Sequence, residues 1–463
     1  MSRHERVTAQ DAAILYAESP VAHMHAGSLA IFQSPGLDEE ALAAHVERRL
    51  HFVPRFRKKL AWIPGGQGRP VWVDDPHFDV RFHVRYTGLP RPGGEREALK
   101  LMGRIMSRPL DRRRPLWELW AFELPDFRFA LIHKTHHSLV DGITGVDLGT
   151  VLLDVEANPP PGDPAPEWRP APEPTRERVL MDAVVERVTQ PAEIYRSLRA
   201  LTRPHRELLA QASEVGRGLV SFGKAALERA PEISLSRPIG PHRRFAVARM
   251  ELDDAKAVKN RFGCTVNDVV LAVVTGGLRR LLQARGDYVE GLVLKAMIPV
   301  SVQDPTRRMT YGNTISMVAA DLPVGEADPR RRIEILRAGM VGLKDSRQAV
   351  GADFWVRLSE YASPTILGLA GRASVALQRA VNVVVTNVPG PQFPLFLHGG
   401  ELLEAFPCAP IAGTASLAIA VQSYNGHLGF GLNGDWDVVP DLDVLAEGIR
   451  ASLLELTDLA RPA

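Results

Sequence analysis

Two adjacent histidines, a carboxylate and a glycine lie close together in the run His136-His137-Ser138-Leu139-Val140-Asp141-Gly142. A neutral imidazole suits general acid–base chemistry because its unperturbed pKa of about 6.5 lies near working pH. The run could therefore take a proton from a hydroxyl and return one to a leaving group. A metal site and a pair of purely structural histidines are the alternatives to catalysis.

The surrounding sequence predicts that the two histidines lie where a strand ends and a helix is about to begin. Residues 127–135 alternate in the manner of a β-strand, and residues 143–155 carry apolar side chains at helical spacing. Successive strand side chains point to opposite faces, so one histidine faces a site and the other is structural. The same alternation separates His136 from His133 and His137, which disfavours a metal site.

Asp141 and Asn267 are the other polar candidates. Asp141 could hold a histidine tautomer, cap the following helix or pair with an arginine, and its spacing does not choose among these. Thr265 predicts the start of a helix with Asn267 in its first turn. The Asn267 amide could donate to an oxyanion or a substrate, or it could cap that helix.

Further short motifs follow one another along the chain. They are Gln10 to Ala13, Glu18 to Pro20, Met24-His25, Pro109 to Asp111, Pro115 to Trp120, Thr265 to Ala272, Gly312-Asn313, Asn387 to Pro391 and Ser423 to Gly426. With the HHxxxDG signature at residues 136–142, this ordered set resembles the bacterial wax ester synthase/diacylglycerol acyltransferase family. The chain departs from the family at His23, where a proline is usual. It also lacks the DFGWG-type motif of chloramphenicol acetyltransferases and condensation domains, its nearest string being residues 433–437.

The resemblance implies an α/β (α+β) fold of two chloramphenicol-acetyltransferase-like domains, with the active site and channel at their interface. It implies that His137 is the general base, which takes the acceptor's proton and later protonates the CoA thiolate. His136 is expected to give structural support, and Asp141 to organise the loop. Asn267 is a candidate oxyanion or substrate donor. We expect no acyl-enzyme, no metal and no cofactor, with acyl-CoA as the co-substrate.

A chain of 463 residues is long for one core, so two domains are expected. We predict an N-terminal acyltransferase domain over residues 1–157, which carries the signature, and a C-terminal acyltransferase domain over residues 243–463. A Pro-rich linker and connecting helices would fill residues 158–242. Residues 175–230 combine an apolar stripe with many arginines; we favour packing on the domains over contact with an anionic membrane.

Composition excludes several classes of protein. A net charge of +2 gives no sign of nucleic-acid binding, and two cysteines suggest no disulfide framework and suit a reducing cytosol. The N-terminus lacks a signal-peptide core, and no apolar stretch of about 18 residues predicts a transmembrane helix. We expect a cytoplasmic protein, peripherally associated with the inner face of the plasma membrane or with lipid droplets.

The interpretation is an O-acyltransferase that uses long-chain acyl-CoA to esterify a lipid alcohol. Diacylglycerol is the preferred acceptor, giving triacylglycerol, and a long-chain fatty alcohol, giving wax ester, is the next. One alternative is an enzyme of the same fold that acts on a secondary-metabolite hydroxyl; the missing DFGWG-type motif weighs against it. The other is a non-catalytic lipid-binding or droplet protein, against which the intact signature weighs.

Overall fold

The computed structural model describes residues 5–33, 38–63, 69–139, 148–160, 164–175, 177–181, 229–301, 315–345 and 381–461. In chain order its strands are β1 (Glu5–Arg6), β2 (His25–Gln33), β3 (Lys58–Ala61), β4 (Val71–Asp74), β5 (Val84–Tyr86), β6 (Trp117–Leu124), β7 (Arg128–His136), β8 (Arg243–Glu251), β9 (Leu294–Ser301), β10 (Ile315–Leu322), β11 (Val383–Val388), β12 (Phe396–Leu397), β13 (Gly400–Cys408), β14 (Leu417–Tyr424) and β15 (His427–Asp435).

Helices lie between and over these strands. They are α1 (Ala9–Ala17), α2 (Glu39–Arg49), α3 (Val80–His83), α4 (Glu95–Met106), α5 (Leu148–Leu152), α6 (Leu252–Phe262), α7 (Val266–Ala284), α8 (Pro329–Asp345) and α9 (Leu442–Ala460), with 3-10 turns at Leu50–Phe52 and Pro54–Arg57. Within the described residues, no single helix is long and apolar enough to cross a membrane. Helices α6 and α7 meet that criterion only as a pair bent by 102°.

Two six-stranded mixed sheets form the framework, which confirms the α/β (α+β) fold class. The first has the order β12-β13-β2-β7-β6-β5 and the second the order β10-β9-β11-β14-β15-β8. In the first sheet β2 and β7 are antiparallel, and their register places His25 opposite His136. The predicted strand that leads into the histidine pair is therefore a central strand of this sheet.

The second sheet has a core of its own. Its β11 is a run of β-branched residues that pairs in parallel with both β9 and β14, so neighbours cover it on both edges. Asn425-Gly426, a dipeptide whose sequence predicts a type I′ hairpin turn, joins β14 to β15, and the φ angles of 41° and 87° at these two residues suit that turn. Helices α7 and α9 pack beside this sheet in a large apolar cluster.

A segment from the C-terminal part of the chain completes the first sheet. Strand β13 pairs antiparallel with β2, although β2 lies near the N-terminus. On its other side β13 meets β15 of the second sheet at very short range. A Cβ atom added at Gly431 would lie 1.7 Å from the Pro407 carbonyl oxygen, and one at Gly429 would lie 2.1 Å from the Ala405 oxygen. The predicted divisions at residues 157 and 242 stay a prediction, and residues 396–408 join the two parts.

A second link between the sheets is made by Arg243, at the start of β8. Its backbone N–H donates to Ser107 Oγ at 2.8 Å, just after α4. Its buried guanidinium donates to the Val21 carbonyl and lies 3.6 Å from the Asp435 carboxylate. Paired in this way, the charge escapes the penalty of lone burial. Both parts of the chain therefore meet around one buried cation.

One local prediction is wrong. The sequence from Val80 to Tyr86 looks like a single strand, but its first half is the helical turn α3. Asp79 explains the difference, because its carboxylate accepts from the Arg81 backbone N–H at 2.9 Å and caps the turn. Strand β5 begins only at Val84 and pairs in parallel with β6.

The described part of the Pro-rich segment, residues 164–175, has no helix or strand, and its role as a linker stays a prediction. It runs along the N-terminal part of the chain. The Trp168 ring lies against Phe78 and under the Arg57 guanidinium. Nearby, the Ala171 backbone N–H donates to Asp74. Residues 182–228, where connecting helices are predicted, lie outside the described residues.

Candidate active site

His136 is the last residue of β7, and its side chain is only 1% exposed. Its Nδ1 accepts a hydrogen bond from the Ser138 backbone N–H at 3.1 Å and lies 2.6 Å from Ser138 Oγ. An accepting Nδ1 carries no proton, so the neutral ring must hold its proton on Nε2. That atom lies 3.1 Å from Glu18 Oε1, off the line of an ideal hydrogen bond.

His137 directly follows β7 and, unlike His136, is not buried. Its backbone N–H donates to the Met24 carbonyl at 2.9 Å, and its side chain is accessible to solvent. Burial by the surrounding protein nevertheless lowers the pKa of His137, and the nearby His136 lowers it further. Within the described residues, the His137 imidazole has no side-chain hydrogen bond to another residue.

Glu18 is a residue of the site to which the sequence analysis gave no role. It follows α1, and its side chain is 11% exposed. Its Oε1 accepts from the Met24 backbone N–H at 3.0 Å and lies 3.7 Å from His25 Nε2. The Arg112 guanidinium donates to its Oε2. One carboxylate thus meets two imidazoles, a guanidinium and a backbone amide.

The charge of Glu18 is set by opposing effects. Burial alone would raise the pKa of this carboxyl group, but the hydrogen bonds and charges of His136, Arg112 and His25 outweigh it. The pKa of Glu18 therefore lies well below its ordinary value, and the group is an anion across the working range of pH. Burial and the nearby Lys134 lower the pKa of His25 well below its usual range, so that imidazole is neutral.

The resemblance had picked out Glu18 and His25 within the opening motifs, without a role for either. A signal was available in the residue types, since a glutamate and a histidine are costly to bury unless they are paired. What the sequence did not contain was the pairing itself. His25 meets His136 only because β2 lies beside β7, with the two rings edge to face at 5.8 Å between centroids.

Asp141, the predicted loop organiser, lies in residues 140–147, outside the described residues. The chain after this loop is firmly held. The His45 Nε2 lies 2.9 Å from the Leu152 carbonyl oxygen, and Arg49 donates to the Val151 carbonyl at 2.9 Å. Arg49 also binds the Asp154 carboxylate in a bidentate ion pair, with N–O distances of 2.6 and 2.8 Å. Both ends of the loop are therefore anchored on the N-terminal part.

Asn267 does not cap its helix. The cap of α7 is made by Thr265 and Asp268, since Thr265 Oγ1 accepts from the Asp268 N–H at 3.2 Å and Asp268 accepts from the Thr265 N–H at 2.8 Å. The Asn267 Oδ1 instead accepts from Asn387 Nδ2 at 3.3 Å. Because only the oxygen of the Asn267 side chain is used in this bond, its amide nitrogen keeps two N–H groups that can donate. Its role as an oxyanion or substrate donor stays a prediction.

Asn387 lies near the end of β11, and the turn that follows this strand is fixed by the β14–β15 hairpin. The Gly390 N–H donates to Ser423 Oγ at 3.1 Å, and a Cβ on Gly390 would lie 2.2 Å from the Ser423 carbonyl oxygen. Gln392 bridges the two segments, donating to Ser423 Oγ and accepting from the Gly426 N–H. Two of the predicted motifs thus form one rigid unit beside Asn267.

The structure groups the candidates around two places. Within the described residues, no hydrogen bond or ion pair joins the histidines to Asn267. The two places are linked through packing. Met24, which holds the His137 backbone, packs against an apolar cluster that includes Ala418 and Ala420 of β14, and Val384 of β11 packs against the same cluster. The chain at the end of β7, next to His137, therefore lies near the second sheet, in which β11 carries Asn387.

Cys264 and Cys408 are free and buried. Burial raises the pKa of Cys264, and it raises the pKa of Cys408 to about 12. A thiol must ionise to act as a nucleophile, so neither residue is suited to form an acyl-enzyme. Among the residues that the structure describes, no three His, Cys, Asp or Glu side chains are grouped so that they could hold a metal ion.

Comparison with known families settles what the chain is related to. The model of the wax ester synthase/diacylglycerol acyltransferase catalytic domain matches residues 7–270, and the model of the family's C-terminal domain matches residues 311–457. The chain belongs to this family. It is therefore an acyltransferase enzyme. His137, the residue predicted to be its general base, lies inside the matched catalytic domain.

Curated relatives and solved structures agree with this family. A Mycobacterium tuberculosis protein named probable diacylglycerol O-acyltransferase tgs1 is 32% identical over 98% of this chain and 96% of its own length. Another from that organism, tgs2, is 33% identical over 96% of this chain and 97% of its own. The wax ester synthase/diacylglycerol acyltransferase of Marinobacter aquaeolei VT8 has a TM-score of 0.69 at 26% identity and covers 98% of this chain and 99% of its own.

The two-domain, chloramphenicol-acetyltransferase-like fold extends to more distant proteins. The first condensation domain of the calcium-dependent antibiotic synthetase has a TM-score of 0.58 at 18% identity, covering 99% of this chain and 96% of its own. At this identity the likeness concerns the fold alone. It confirms the architecture expected from the sequence.

Proposed function

We propose that the protein transfers a long-chain acyl group from acyl-CoA to the free hydroxyl of diacylglycerol, giving triacylglycerol and CoA. The observation that carries the proposal is similarity along nearly the whole chain to relatives named diacylglycerol O-acyltransferases. The chemistry of His137 supports it, because an accessible imidazole with a lowered pKa is present as the free base at neutral pH.

In the proposed reaction His137 removes the proton from the acceptor hydroxyl as its oxygen attacks the thioester carbonyl. A tetrahedral intermediate forms, and the Asn267 amide N–H is the candidate donor to its oxyanion. Collapse of the intermediate breaks the carbon–sulfur bond, and the protonated His137 returns its proton to the CoA thiolate. The acyl group passes directly between the substrates. The raised thiol pKa values of Cys264 and Cys408 favour this direct route.

A long-chain alcohol is the second acceptor that we propose, since the family's own description includes wax ester synthesis. A secondary-metabolite hydroxyl is less favoured, because the condensation domains resemble this chain in fold alone. The test is an assay of the purified protein with labelled long-chain acyl-CoA and either diacylglycerol or hexadecanol, with products separated by thin-layer chromatography. We expect labelled triacylglycerol as the main product. Absence of both esters would contradict the proposal.

We further propose that the enzyme works while peripherally bound at the inner face of the plasma membrane or at lipid droplets, because diacylglycerol resides in lipid rather than in water. The mechanism would be adsorption of a basic, apolar surface to anionic headgroups. Flotation with phosphatidylglycerol liposomes at low and high salt tests this. Binding that weakens as salt screens the charges is the expected result, and no binding at low salt would count against it.

A further inference from the structure

We infer that Glu18 is a positioning residue for the His137 base, holding the backbone on both sides of that histidine through one carboxylate. The inference rests on the proposed function, in which His137 takes the acceptor's proton. Glu18 touches neither substrate nor reacting atoms in this role. It acts by fixing where the base stands.

The first connection runs through Met24. The Met24 backbone N–H donates to Glu18 Oε1 at 3.0 Å, and the Met24 carbonyl accepts from the His137 N–H at 2.9 Å. The donor and acceptor of one residue therefore join the carboxylate to the backbone of the base. This connection holds the His137 backbone on the N-terminal side of its side chain.

The second connection runs through the other histidine. Glu18 Oε1 lies 3.1 Å from His136 Nε2, and His136 Nδ1 accepts from the Ser138 N–H at 3.1 Å. The carboxylate favours a proton on Nε2, which leaves Nδ1 free to accept. Because Ser138 directly follows His137, this tie enters on the C-terminal side. Two connections therefore hold the His137 backbone, and both lead to Glu18 Oε1.

The carboxylate is itself fixed. Arg112 donates both to Glu18 Oε2 and, at 3.0 Å, to the Leu15 carbonyl of α1. After Glu18 the chain turns tightly, with reciprocal backbone hydrogen bonds of 3.1 and 3.2 Å between Ser19 and Ala22. A buried anion at the end of a helix is costly unless other groups pair with it. Here its partners converge on the residues that flank the predicted base.

Two variants grade the effect. Glu18→Gln keeps an oxygen that can accept from Met24 but loses the charge that favours the Nε2 proton. Glu18→Leu keeps the approximate size and loses every acceptor. A displacement of the base by about 1 Å costs roughly 100-fold in rate, so we expect a kcat fall of that order for Glu18→Leu and of about 10-fold for Glu18→Gln. The KM for acyl-CoA should change by less than about 3-fold, since uniform binding is not affected.

Glu404→Gln is the matched control. Glu404 also forms an ion pair with an arginine, Arg249, and is partly exposed, but it lies on β13 away from the histidines. The same loss of charge there should leave kcat within about 2-fold of the wild type, as expected for a pair at the surface. This control separates loss of an ion pair from loss of the connection to His137.

A second measurement does not depend on catalysis. With ring-¹⁵N-labelled histidine, NMR reports which nitrogen of His136 carries the proton. We expect a single tautomer with the proton on Nε2 in the wild type, and a mixture or a changed tautomer in both Glu18 variants. Unchanged kcat in a folded Glu18→Gln protein, or an unchanged His136 tautomer in either variant, would overturn the inference. If Glu18→Leu does not fold, Glu18→Gln decides.

The two proposals can fail separately. An inactive wild-type protein would contradict the proposed function, and the tautomer measurement would still decide whether Glu18 orders His136. An active wild-type protein whose Glu18 variants keep full kcat and the wild-type tautomer would leave the function standing and remove Glu18 from it.

Discussion

At the scale of single residues, His136 and His137 differ in what surrounds them. His136 is buried; its Nδ1 accepts a hydrogen bond from the Ser138 N–H, and its Nε2 lies 3.1 Å from Glu18 Oε1. His137 is tied through its backbone, and its ring is accessible to solvent. A general base needs an accessible lone pair, whereas a buried ring in contact with Ser138 and Glu18 is suited to holding its neighbours in place. This contrast supports the predicted division of labour between them.

Replacing each histidine by alanine should therefore give different results. We expect His137→Ala to lower kcat by about 10²-fold to 10⁴-fold, the range for loss of a general base, with little change in melting temperature. His136→Ala should lower both activity and stability, because it removes the acceptor of the buried Ser138 N–H, at a cost of roughly 1–3 kcal/mol, and takes one partner away from Glu18. Steady-state kinetics and thermal melts measure the two effects. Equal losses of turnover with unchanged melting temperatures would contradict the division.

The pH dependence of the reaction should follow the protonation of the His137 ring. Burial disfavours its protonated form, so its pKa in the folded protein lies below the ordinary value of about 6.5. Since the neutral ring is the working form, kcat/KM should be full at neutral pH and fall as the pH drops through this lowered pKa. A pH profile of kcat/KM with diacylglycerol measures it. A midpoint at or above about 6.5 would show that His137 is not the titrating base.

At the scale of secondary-structure elements, the contact between β13 and β15 helps to fix the two sheets relative to each other. Gly429 and Gly431 let the β13 carbonyl groups approach to distances that no side chain allows. Phe406 of β13 packs in the same region with Phe245 and Val247 of β8. A channel between the two parts would depend on this spacing, so this contact also bears on the site.

Gly431→Ala should consequently be damaging. The added methyl group would meet the Pro407 carbonyl oxygen, which belongs to a paired strand and cannot move away freely. Overpacking of this kind costs about 1–3 kcal/mol or more, so the melting temperature should fall and activity with it. Gly339→Ala on α8 is the control, since a Cβ there meets nothing within 4 Å and alanine favours a helix. A melting temperature for Gly431→Ala as high as that of the control would be inconsistent with the close approach.

At the scale of the whole molecule, local patterns in the sequence predicted the elements that depend on near neighbours. Alternation located β7 before the histidines, Thr265 located the start of α7, and Asn425-Gly426 located the β14–β15 turn. The class of enzyme followed from ordered motifs.

Features that need partners far along the chain were not predicted. The pairing of β13 with β2 is one, because neither strand carries a local sign of the other. Glu18 beneath His136 is another, since the contact exists only after α1, β2 and β7 are assembled. The turn at Val80 was misjudged because the Asp79 cap overrode the strand-like alternation.

Strand β13 belongs to the C-terminal part of the chain but completes the first sheet, and this arrangement predicts how the molecule unfolds. β13 is hydrogen-bonded in the first sheet and packed on the second, so neither sheet can lose its partner without exposing apolar surface. We expect one calorimetric transition, and we expect Phe406→Ala to lower that single melting temperature without splitting it. Phe406 is 1% exposed, and such truncations cost about 3–5 kcal/mol.

Phe52→Ala makes the same chemical change at a side chain that is 64% exposed, and it should leave the melting temperature nearly unchanged. Differential scanning calorimetry of the wild type and both variants is the measurement. Two separate transitions in the wild type, of which Phe406→Ala shifts only one, would mean that the two parts unfold independently. The pairing of β13 with β2 would then position the site without coupling the stability of the two parts. In that case the effect of Gly431→Ala on activity would have to arise locally.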